Sequence, residues 1–229
     1  MKKNTHNEKP IRPTPETLSS QPEDEDDLMD TGVLSEASKS KGGKKDISAA
    51  YRLSTQDLIV CSILAVMGGF ISGLIPFSLL VKTWYPFVGG TQLISGHHIL
   101  WSVLAYGITR KKSAILLTSL FQGFLVFLLG ASWGILEVGI QMYEGGSVLV
   151  GFYIIEKLGE GDTTLGWGLA SGIGNFTQVP FFWILTGKIY ILHWTLFVMA
   201  MMFAFISGFV MAGLLSKKLV EQIKKANIV

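Results

Sequence analysis

From Leu58 to the C-terminus the chain runs 172 residues on only 16 charged side chains, 10 basic and 6 acidic. That is about 9%, against ~25% for an ordinary soluble domain. Most of these charges stand at the ends of apolar runs, and a water-exposed surface cannot be assembled from so few. An ordinary soluble enzyme is excluded, as is a nucleic-acid module built on a basic face. The expectation is an all-α, multi-pass integral membrane protein embedded in a lipid bilayer.

The first 57 residues differ sharply, with 9 basic and 11 acidic side chains. Residues 1–50 are rich in Lys, Glu, Asp, Ser, Thr, Pro and Gly, with an acidic cluster at Glu23, Asp24, Glu25, Asp26 and Asp27. That composition buries too little apolar surface to offset chain entropy, so it reads as a disordered cytoplasmic tail ahead of a membrane domain at 51–229. No basic start followed at once by an apolar stretch marks a signal peptide. The single cysteine, Cys61, excludes an intrachain disulfide and a cysteine-based zinc site.

Six apolar segments follow, roughly 58–80, 95–109, 113–130, 133–155, 165–186 and 190–215. A spanning helix needs about 20 residues, so the second is short, either starting inside the preceding loop or capped by folded external structure. Backbone groups must bond internally in lipid, and the runs lack the alternation of barrel strands, so the segments are helices. Lys39, Lys41, Lys44, Lys45, Arg52, Arg110, Lys111, Lys112, Lys157, Lys217, Lys218, Lys224 and Lys225 fall on one side, and only Lys82 and Lys188 on the other. This imbalance places both termini in the cytoplasm, in agreement with six spans. The outer loop at 81–94 holds Trp84 and Tyr85 beside Pro86, either interfacial anchors or part of a lid over a pocket.

Segment four carries Trp133, Glu137, Gln141 and Glu144 at i, i+4, i+8 and i+11, one helical face. At ~1.5 Å per residue Glu144 lies about 16 Å below Trp133, near the bilayer centre. A carboxylate there needs a partner or a wet cavity. The face is either a pocket for a solute with cationic or donor groups, or a structural bond to a neighbouring helix. Further polar and aromatic groups fall at the same depth: Gln92, His97, His98 and Trp101 around the start of segment two, Asn175 and Gln178 in segment five. Aromatic walls with a few placed polar groups are the make-up of a small-molecule pocket. Adjacent histidines project about 100° apart and hold one metal poorly, so no metal site is expected. Neither a Walker A motif nor a Gly-x-Ser-x-Gly element is present, which argues against an enzyme. Ala65, Gly69 and Gly73 form a small-residue stripe on segment one, suited to packing within the chain or to docking on a separate membrane subunit.

Gly96-His97-His98-Ile-Leu-Trp101 through Ala105-Tyr106-Gly107-Ile-Thr-Arg110-Lys111-Lys112-Ser-Ala114, then Leu128-Leu129-Gly130-Ala-Ser-Trp-Gly134 and Glu144-Gly145, carry a family resemblance. Over residues 58–215 the chain resembles the substrate-binding (S) components of energy-coupling factor (ECF) transporters, of the YkoE-like subfamily. Val126 and Phe127 stand where that family is expected to carry a carboxylate, leaving Glu137 to take the role. The resemblance implies capture of a vitamin-like solute, thiamin or its hydroxymethylpyrimidine precursor, in an outward-facing pocket of a prokaryotic cell membrane. Partners would be a transmembrane coupling (T) subunit, docked on Ala65, Gly69 and Gly73, and a cytoplasmic ATPase pair. ATP would be hydrolysed by those partners, with no cofactor in this chain. The implied roles are stacking for Trp133, Trp101 and Trp84, and hydrogen bonding for Glu137, Asn175 and Gln178. A passive channel or a non-transporting scaffold is the competing class.

Overall fold

The computed structural model describes residues 52–74, 90–187 and 193–226. Among them all regular structure is helical: α1 (Thr55–Leu74), a 3-10 turn (Gly90–Leu93), α2 (Gly96–Thr109), α3 (Ser113–Leu128), α4 (Leu136–Lys157) and α5 (Thr164–Leu185). A last rod is built from α6 (Trp194–Ser207), a π-helical stretch (Gly208–Leu214) and α7 (Leu215–Lys225). The helices follow the apolar segments, while the tail at 1–50 and Trp84 lie outside the described residues.

Local chemistry sets the helix ends. Ser54 and Asp57 form a reciprocal capping box, with Asp57 Oδ2 accepting from the Ser54 amide at 2.7 Å and Ser54 Oγ from the Asp57 amide at 3.2 Å. The Thr163 hydroxyl oxygen caps α5 by accepting from the Gly166 amide at 2.9 Å. Between α3 and α4 the chain turns through Gly130 (φ 86°) and Gly134 (φ 57°), a left-handed backbone that glycine adopts without strain. That turn corrects one expectation. Trp133 is not on the fourth helix, because Gly134 delays its start to Leu136.

The outside of the bundle is apolar. On α1, Ile59, Ile63, Met67 and Phe70 are all exposed, and so are Val150 and Ile154 on α4 and Met202, Ile206 and Val210 on the last rod. Such a surface belongs in hydrocarbon. Thr55–Gly73, Leu136–Lys157 and Trp194–Lys225 are each long and apolar enough to cross a bilayer. The 14-residue α2 is about 21 Å long, short of the ~30 Å hydrocarbon core. It lies instead at the centre, with Ile99, Leu100, Val103, Leu104, Ala105 and Tyr106 all buried.

Close helix approach depends on missing side chains. A Cβ on Gly174 would stand 2.7 Å from the Val148 Cα, and one on Gly213 would stand 2.5 Å from the Gly168 Cα. Thus α4, α5 and the π-helical stretch meet backbone to backbone. The stripe on α1 is used within the chain: Ala65 and Gly69 are buried, Leu125 of α3 covers Gly69, and Leu129 packs beside Gly73.

At one end an ionic hub joins the elements. Arg110, Lys111 and Lys112, between α2 and α3, pair with Asp162 (2.9 Å), Asp57 (2.5 Å) and Glu156 respectively. Tyr106 donates to Glu156 at 2.9 Å, and Lys217 Nζ donates to the Asp162 carbonyl at 2.8 Å.

Candidate functional site

The opposite end opens into a cavity of about 630 Å³. The start of α4 supplies its acidic wall, with Glu137, Gln141 and Glu144 on one face as their spacing requires. Gln141 Nε2 donates to Glu137 Oε1 at 3.3 Å. Glu144, only 4% exposed, lies deepest, and its Oε2 has no hydrogen-bond partner. A buried carboxylate oxygen without a donor is costly unless a solute or water supplies one.

The 3-10 turn and the start of α2 form the facing wall. His97 and His98 line the cavity with ring centroids 3.9 Å apart. His97 Nδ1 lies 2.7 Å from the Ile94 carbonyl, so that nitrogen carries the proton and donates. Gln92 and Gln178 meet across the cavity, Gln178 Nε2 donating to Gln92 Oε1 at 3.3 Å. Trp133, Phe182 and Trp183 supply aromatic surface, the Trp133 and Phe182 rings standing 6.3 Å apart.

Eight of the residues singled out in the sequence therefore line one cavity: Gln92, His97, His98, Trp133, Glu137, Gln141, Glu144 and Gln178. Asn175 does not. Wholly buried, it donates through Nδ2 to Ser95 Oγ at 2.8 Å and to the Ala204 carbonyl at 2.7 Å. Ser95 Oγ in turn donates to the Gln92 carbonyl at 2.8 Å, so Asn175 braces the wall from behind. Trp101 also falls outside the lining and packs over Gly68. Trp84 and most of the loop at 81–94 lie outside the described residues.

Sequence reasoning missed Ser72, Thr91, Ser95, Phe182 and Thr186, all in the lining. Short hydroxyl side chains recur throughout apolar helices, and Phe182 belongs to an aromatic run at 181–183 with no periodicity to mark the inward ring. Only the adjacency of Phe182 to Gln178, one turn earlier, was available as a signal.

These features define a helical membrane protein with a solute-sized polar cavity at one end. The family model for "ABC-type cobalt transport system, permease component" matches residues 56–173, just over half of the chain. The chain belongs to that family. A solved structure described as an S-component of an ECF transporter superposes with a TM-score of 0.67 at 17% identity, over 77% of this chain and 88% of its own. The fold is therefore that of an ECF S component. No curated protein matches the sequence.

Proposed function

We propose that this chain is the substrate-capture subunit of an ECF-type importer. It spans a prokaryotic cell membrane six times with both termini in the cytoplasm, so that the cavity faces outward and the ionic hub inward. Its solute is vitamin-like, thiamin or the hydroxymethylpyrimidine precursor. The observation that carries this reading is the cavity itself. About 630 Å³ fits a small organic molecule, and its aromatic walls with convergent carboxylate, amide and imidazole groups suit an aminated heteroaromatic ring. Binding has no covalent step. Release follows when a partner ATPase pair, acting through a coupling subunit, reorients the bundle. Ala65 and Gly69 are covered by α3, and Gly73 stands beside Leu129 in the cavity lining, so a coupling subunit would reach this stripe only at its cavity end.

The family description favours a second reading, cobalt, and two imidazoles and two carboxylates do share the cavity. Against it, no three His, Cys, Asp or Glu side chains gather as a metal would require among the described residues. The volume also far exceeds that of a bare ion.

Calorimetry on the detergent-purified full chain tests both. Saturable binding of thiamin or the pyrimidine without ATP is expected, weakened at least about tenfold in Glu137→Gln by loss of a charged partner. Binding of Co²⁺ in place of either organic solute overturns the vitamin reading. Unchanged affinity in Glu137→Gln removes that residue from the site.

A further inference from the structure

The cavity holds two carboxylates and, among the described residues, no lysine or arginine. All described basic side chains of these types precede α1 or stand at or beyond the hub end of their helices, from Arg110 to Lys225. Glu144 Oε2 is buried without a hydrogen-bond partner, so the cavity wall presents an unmet carboxyl oxygen. A cation or an N–H group satisfies it, whereas an anion adds repulsion.

The two places where an anion commonly finds backbone donors are already occupied. At the start of α4 the amides of Leu136, Glu137 and Val138 donate to the carbonyls of Trp133 (3.2 Å), Gly134 (3.1 Å) and Ile135 (3.1 Å). At the start of α2 the Gly96 amide donates to Ser207 Oγ at 2.9 Å, and the amides of His97 and His98 donate to Ile94 and Ser95 carbonyls, each at 3.1 Å. A helix N-terminus binds phosphate through free amides, and these six are engaged within the protein. His97 has committed its Nδ1 proton to Ile94, and its ring lies so close to His98 that charging both is opposed.

From this arrangement we infer that the site admits an unphosphorylated, cation-bearing solute and rejects the phosphate ester of the same compound. The inference rests on the reading of the cavity as a solute pocket and adds a specificity rule to it. It also fixes the neighbouring reactions by class. Outside, a phosphatase must convert any ester and water to the free alcohol and inorganic phosphate before capture. Inside, a kinase must transfer a phosphoryl group from a nucleoside triphosphate to that alcohol before a phosphorylated form is used.

The test compares thiamin with thiamin monophosphate on the purified full chain by calorimetry. Thiamin is expected to bind at least about a hundredfold more tightly, since like-charge juxtaposition costs several kcal/mol. Equal affinities overturn the rule while leaving the vitamin reading intact. Equal affinities that fall for the ester alone in Lys82→Ala/Lys188→Ala overturn it too, and assign the phosphate to those lysines. If neither compound binds, the vitamin reading fails, and N-benzylpyridinium against benzoate, read by tryptophan fluorescence, decides the rule separately. Saturable quenching by the cation alone upholds it, and no preference overturns it. In Glu137→Gln/Glu144→Gln, which keeps side-chain size, the preference should shrink below about tenfold. A preference that persists in a variant melting as the wild type does overturns the role of the carboxylates.

Discussion

Asn175 shows how far a residue's chemistry and its task can separate. Its amide suits ligand contact, and its place beside Gln178 on α5 points the same way, yet both Nδ2 bonds are spent inside the protein. Whether a buried polar atom faces a cavity or a neighbouring helix depends on rotation within the bundle, which no local pattern encodes. Glu137, Gln141 and Glu144 were legible because a charge in hydrocarbon has few tolerable positions and the helical period fixes their common face. Asn175→Ala removes two hydrogen bonds from a fully buried site, a loss of about 2–3 kcal/mol. A lower melting temperature in detergent is the expected result. Solute affinity should also fall, because Ser95 and Gln92 lose their brace. A variant with normal stability and weakened binding would instead mark Asn175 as a direct contact.

At the scale of elements, the same basic residues that report topology also hold the bundle together. Arg110, Lys111 and Lys112 read in the sequence as markers of a membrane face, while their partners lie tens of residues away and carried no signal. The three pairs differ in worth. Arg110 and Asp162 are 41% and 86% exposed, so their pair contributes under about 1 kcal/mol. Arg110 also holds a left-handed φ of 58°, a cost of roughly 1–2 kcal/mol that glycine escapes. Arg110→Gly should therefore leave the thermal midpoint almost unchanged. Glu156→Gln should lower it by the equivalent of about 1 kcal/mol, because that carboxylate, 31% exposed, serves both Lys112 and Tyr106. Comparable losses from both substitutions would show that Arg110 does more than pair with Asp162. The stripe at Ala65, Gly69 and Gly73 carried a clear packing signal in the sequence, but not the identity of its partner. Leu125 and Leu129 answered it from within the chain.

The whole molecule inverts the usual distribution of polarity, with an apolar exterior around a polar cavity at one end and an ionic hub at the other. Charge scarcity made the membrane class legible, and apolar run length made the helices legible. The depth of α2 was not, since a short helix at the centre of a bundle and a short helix at its edge have similar sequences. The polarity of the two ends predicts the sidedness of the protein. In a Cys61→Ser background, Ser132→Cys near the cavity should react with an impermeant maleimide added to intact cells, and Glu160→Cys near the hub only after the membrane is opened. The reverse pattern would overturn the orientation. An importer subunit and a channel differ in what the isolated chain does to a solute. The cavity lies at one end, and buried Tyr106, Phe152 and Trp167 pack in the core toward the hub. Proteoliposomes containing this chain alone should bind solute without accumulating or leaking it, and uptake should begin only with a coupling subunit, an ATPase pair and ATP. Equilibration of labelled thiamin across the membrane by the isolated chain would identify a channel instead.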